Sequence, residues 1–94
     1  MDIKERAKEV SKLLKTLSNE NRLLILCMLI DGPMTVNNLT KELNITQSAV
    51  SQHLSVLSLA GIIDYEKKGQ SIYYFISDNR VIEVFEVLKR NYCQ

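Results

Sequence analysis

Few side chains in this sequence can do covalent chemistry. The chain holds two cysteines, Cys27 and Cys93, and one histidine, His53. Thiol redox chemistry therefore rests on one pair, and imidazole acid–base chemistry on one residue. With no glycine-rich phosphate loop and no carboxylate pair in an evident pocket, an enzyme is not expected. Cys27 lies in the apolar run "LILCML", where a cysteine commonly serves as a small core hydrophobe. Cys93 follows Lys89 and Arg90 by four and three residues, so both cations reach its side of a helix and favour the reactive thiolate. Its place near a helix C-terminus acts in the opposite direction. On the residues alone, both packing and reactivity remain open for these thiols.

The richer chemistry is non-covalent. Thr46, Gln47, Ser48, Ser51, Gln52 and Ser55 form a dense set of short, neutral hydrogen-bonding groups, and Lys41, Lys67 and Lys68 flank them. Glutamine can address the N6 and N7 edge of adenine, serine several bases, and lysine the phosphates. From Leu43 to Ile63 there is no Asp, Glu, Lys or Arg. A solvated helix face usually carries Lys and Glu, whereas a surface that meets phosphates must be free of acids.

The elements that position these groups follow from periodicity. Ile3, Ala7, Val10, Leu14 and Leu17 recur at helical spacing and predict an amphipathic helix over 3–17. After Ser18 and Asn19, both good caps, "ENRLLILCMLI" predicts a central buried helix over 20–30, stopped by Asp31-Gly32-Pro33. Thr35 caps a short helix over 36–43, with Val36, Leu39 and Leu43 inward. Asn44-Ile45-Thr46 forms a tight turn, and Thr46 caps a helix over 47–60 that Gly61 closes. At about 100° per residue, Val50, Leu54 and Leu57 cluster on one side of that helix, and Ser48, Ser51, Gln52 and Ser55 lie opposite. His53 falls on the flank of the buried face, which suits a buttress better than a base contact.

Beyond Gly61 the period changes to two. Ile63 and Tyr65, then Ile72, Tyr74 and Ile76, predict two strands with Lys67-Lys68-Gly69-Gln70 as the hairpin tip. Asp78 or Asn79 caps a last helix with Val81, Val84, Phe85, Leu88 and Tyr92 along one face. The fold class is thus mainly α with a β-hairpin wing, in the order α/α/α/α/β/β/α: a winged helix-turn-helix. Residues 1–94 make one domain at this length. The formal charge of +1 leaves the partner undetermined, so a nucleic-acid binder must gather its cations on one surface. No apolar run reaches the roughly 18 residues of a membrane span and no signal peptide is evident, so a cytoplasmic protein with no membrane partner is expected.

The strings "LKTLSNENRLLILCMLI", "LTKELNITQSAVSQHLSVLSLAGII" and "KKGQSIYYFI" resemble the ArsR/SmtB family of bacterial winged-helix repressors over nearly the full length. The resemblance implies a repressor that binds double-stranded operator DNA as a homodimer through its first and last helices. Val10, Leu14, Val81, Val84, Phe85 and Leu88 would then form the interface. Such pairing would also relieve the marginal size of a lone chain.

The metal-sensing members carry ligands that this sequence lacks. Thr35-Val36-Asn37-Asn38-Leu39 stands where a Cys-Val-x-Asp-Leu motif would be, and Asp78, Arg80, Asn91 and Gln94 stand at the ligand positions of the last helix. No metal and no other cofactor is expected. Cys27 and Cys93 instead look like the pair of the thiol-sensing branch, which implies release from DNA on disulfide or polysulfide bridging. The alternatives are the same DNA-binding dimer without a cysteine switch, controlled by a ligand or an unrecognised metal site, and a winged-helix module for protein–protein contact.

Overall fold

Each helix begins where a short polar side chain can satisfy an otherwise open backbone amide. The structure, a computed structural model, describes residues 2–92. Helix α1 (Ile3–Leu17) starts at Asp2, whose carboxylate accepts from the Glu5 N–H at 2.9 Å. Helix α2 (Glu20–Leu29) starts at Asn19, which accepts from the Arg22 N–H. Thr35 and Thr46 cap α3 (Val36–Leu43) and α4 (Gln47–Leu59) in the same way. Between those two helices Asn44 takes φ 55°, the left-handed conformation that Asn tolerates better than most residues, and this reverses the chain.

Strands β1 (Ile63–Lys68) and β2 (Ser71–Ile76) pair antiparallel, from Ile63 opposite Ile76 to Lys68 opposite Ser71. Lys67 and Lys68 are therefore the last residues of β1, and the tip itself is Gly69-Gln70. Gly69, at φ 62°, holds the first central position, where a II′ turn requires glycine. Met34 and Tyr74 exchange two backbone hydrogen bonds, of 3.0 and 2.8 Å, which ties the α2–α3 connection to the hairpin. Helix α5 (Asn79–Tyr92) closes the order.

The core is one cluster. Ile25, Leu26 and Leu29 of α2 meet Leu39 of α3, Val50, Leu54 and Leu57 of α4, and Val81 and Phe85 of α5. Ile62, Ile63 and Ile76 root the hairpin in it, whereas the rest of β1 is exposed and projects as a wing.

The last helix corrects one expectation. Val81 and Phe85 are each only 1% exposed, buried inside the chain's own core, and offer a partner nothing to touch. The outer apolar surface of α5 is Val84, Val87 and Leu88 instead. Two stripes at the same spacing lie side by side on this helix, one for the core and one for the surface. On α1 only Leu17 is buried, and Val10 and Leu14 remain more than half exposed. Among the described residues no helix is long and apolar enough to cross a membrane.

Candidate nucleic-acid interface

Helix α4 carries the densest set of polar groups found by sequence. Val50, Leu54 and Leu57 are at most 2% exposed and pin one side of the helix to the core. That fixes the opposite side outward: Ser48, Ser51, Gln52 and Ser55 are all exposed. Thr46 and Gln47 are exposed at the helix start, where the Thr46 hydroxyl accepts from the Ala49 N–H at 3.1 Å. The Thr46 oxygen is thus engaged as a cap, which leaves the amides of the first turn as the outward donors there. Lys41, in the last turn of α3, and Lys67 and Lys68, on the wing, are exposed as well. Helix α4 packs against both α3 and β1, the two elements that carry these lysines.

His53 is half-buried on the flank of α4, as its position on the helical wheel predicts. Its Nδ1 lies 3.4 Å from Nη1 of Arg22, whose Nε donates to the Thr16 carbonyl at 2.7 Å. Burial, and then the Arg22 cation, hold the imidazole below the usual histidine range, so the ring is neutral near pH 7. Arg22 escaped the sequence reading, because nothing in its local spacing announces a partner 31 residues away.

At the start of α5 the Asp78 carboxylate accepts from the Arg80 backbone N–H at 2.9 Å, and from its Nε and Nη2 at 3.2 and 3.0 Å. The Arg80 guanidinium, more than any other group, keeps Asp78 below the usual carboxylate range. This carboxylate is therefore committed to capping and to an ion pair. No group of three His, Cys, Asp or Glu placed to hold a metal occurs among the described residues.

Cys27 is half-buried on α2 against the core. Its expected partner, Cys93, lies outside the described residues, as does Gln94. Lys89, read by sequence as a cation beside Cys93, extends to the Asp31 carboxylate at the end of α2.

A helix whose polar face is held outward by its own core contacts, preceded by a second helix and followed by a hairpin with Lys67 and Lys68 at the end of its first strand, defines a winged helix-turn-helix transcriptional regulator. Residues 19–65 match the model of the bacterial regulatory proteins of the arsR family, and the chain belongs to that family. It is 41% identical over 97 residues to the transcriptional activator HlyU of Vibrio cholerae, covering 100% of this chain and 90% of that one. It is 34% identical over 92 residues to the biofilm growth-associated repressor of Xylella fastidiosa, covering 98% and 81% respectively. Among solved structures, reduced HlyU from Vibrio cholerae superposes with a TM-score of 0.93 at 39% identity, covering 98% of this chain and 97% of that one. The repressor BigR from Xylella fastidiosa superposes at 0.87 and 33% identity, covering 99% and 95%.

Proposed function

We propose that this regulator is a sequence-specific repressor that binds duplex DNA as a homodimer and is released by oxidation or persulfidation of Cys27 and Cys93. The observation that carries the DNA reading is the exposed neutral face of α4. Ser48, Ser51, Gln52 and Ser55 are aligned along one side of a rigid element and flanked by lysine, as a helix seated in a major groove requires. Thr46 and Gln47 bring the amides of the first turn to a phosphate, while Lys41, Lys67 and Lys68 supply charge without sequence preference.

The homodimer reading is supported by apolar surface. Val10 and Leu14 on α1, with Val84 and Leu88 on α5, remain exposed on one chain, and such residues in water favour a second copy. The names of the similar proteins include both an activator and a repressor. Repression is the simpler physical outcome, since a dimer seated on a promoter excludes other proteins from it.

The switch rests on the pairing of one thiol in α2 with one at the chain end. Joining them as a disulfide removes two protons and two electrons, which a peroxide or a polysulfide accepts. The bridge needs the two Cα atoms within about 7 Å, while a chain of sulfur atoms spans more. The packing of Cys27 against the core favours a second reading, in which the same repressor has no thiol switch.

Fluorescence anisotropy on the promoter upstream of the chain's own gene tests the DNA reading and the switch. Reduced protein is expected to bind tightly, with affinity that falls steeply as salt rises. Treatment with a persulfide donor is expected to abolish binding and to add sulfur to the intact mass. Binding that ignores the donor removes the switch and keeps the repressor, and no salt-dependent binding removes both.

A further inference from the structure

Arg22 connects two elements that are distant in sequence. Its Nε donates to the Thr16 carbonyl, one of the open acceptors in the last turn of α1, at 2.7 Å. Its Nη1 faces Nδ1 of His53, in the middle of α4, at 3.4 Å. His53 directly follows Gln52 on the polar face. Arg22 itself sits in the first turn of α2, whose buried residues anchor it in the core.

A guanidinium is a planar fork whose donors point in fixed directions. When two of them bond separate helices, the fork sets the distance and the relative rotation of those helices, which a single flexible contact does not do. Both Arg22 and His53 are half-buried, so these bonds compete less with water than surface bonds do. The arrangement needs the ring proton on Nε2 and the lone pair on Nδ1, the neutral form favoured where the ring is partly desolvated.

We propose that Arg22 and His53 form a positioning pair that holds α4 at a fixed angle to α1 and so sets the half-site spacing that the dimer accepts on DNA. The proposal rests on the reading above, in which α4 enters the groove and α1 lies at the dimer contact. In a dimer the separation of the two α4 helices is measured through the interface, so any looseness between α1 and α4 enters that separation twice. Half-sites must match this separation along the duplex, about 34 Å per helical turn. Arg22 would thus govern spacing without touching a base.

The test uses the full chain and a duplex carrying the site footprinted on the chain's own promoter, with further duplexes whose half-sites are moved one base pair closer or further apart. Wild-type protein is expected to prefer the native spacing. Arg22→Gln and His53→Ala are expected to lose about tenfold in affinity for the native spacing, the effect of one partly buried charged hydrogen bond. Both are also expected to discriminate less between spacings, while melting and sedimentation show a folded dimer. His53→Asn places an acceptor where Nδ1 was and is expected to restore the preference.

Unchanged spacing preference in either folded variant would overturn the proposal. So would a uniform loss across all spacings with a salt slope lower by about one, which marks a direct phosphate contact by Arg22. Should Arg22→Gln not fold, the comparison of His53→Ala with His53→Asn decides. Failure of the wild type to bind any duplex overturns the DNA reading instead, so the two failures are distinct.

Discussion

Lys89 of α5 is ion-paired with Asp31, two residues beyond the end of α2, across 58 residues of sequence. The contact fastens the last turns of α5 to the exit of α2. Both partners are substantially exposed, 41% for Lys89 and 70% for Asp31, so water and salt screen the pair. Asp31→Asn is therefore expected to lower stability by no more than about 1 kcal/mol, and by less at high salt. Urea unfolding at two salt concentrations checks this. A loss that is large and indifferent to salt would mean that Asp31 holds the α2–α3 connection by something other than charge.

The α4 face and the wing should fail in different ways. Gln52→Ala is expected to cost about 1–3 kcal/mol of discrimination at the base it addresses, with dimer and melting temperature unchanged. Replacing Lys67 and Lys68 together by alanine should weaken binding to every sequence and lower the salt slope by about two. Anisotropy titrations of both variants, each on specific and scrambled duplex, separate the two. If Gln52→Ala and Ser51→Ala leave specific affinity unchanged, α4 is not the reading helix.

Helix α5 offers a contrast between neighbours. Val84 is 45% exposed and Phe85 1% exposed, so one substitution reports on association and the other on folding. Val84→Asp is expected to give a folded monomer by sedimentation. Phe85→Ala is expected to cost about 3–5 kcal/mol of stability through the cavity it leaves. A dimer that persists in the Val84→Asp variant would move the interface away from α5.

These cases show what could be read from the sequence and what could not. The caps Thr35 and Thr46, the turn at Asn44 and the hairpin were legible because each is decided by residues a few positions apart. The outward face of α4 was legible because Val50, Leu54 and Leu57 leave the helix only one way to sit. On α5, periodicity located an apolar stripe but could not tell which covering it needs. A side chain facing its own core and one facing solvent or a partner obey the same spacing, and Val81 with Phe85 faces the core. The Met34–Tyr74 bridge, the Arg22–His53 contact and the Lys89–Asp31 pair were illegible for a different reason. Each depends on how elements dock, and no local pattern encodes docking.

The neutral state of His53 has a consequence for acid stability. Partial burial, and then the Arg22 cation, lower its pKa in the folded chain below the ordinary value of 6.5. Above pH 6.5 the ring is neutral in both folded and unfolded chains, and its contribution to stability is fully present. As pH falls below that value the unfolded chain takes up the proton first, because only the folded chain resists it. Stability is then lost progressively until the pH passes the folded-state pKa, below which both states are charged. Protonation also removes the Nδ1 lone pair that faces Arg22 and sets two cations against each other. Urea unfolding of the wild type and of His53→Asn, from about pH 8 to about pH 5, isolates this effect. The wild type is expected to lose stability relative to the variant as the pH falls, and parallel curves would show that the ring does not titrate against Arg22.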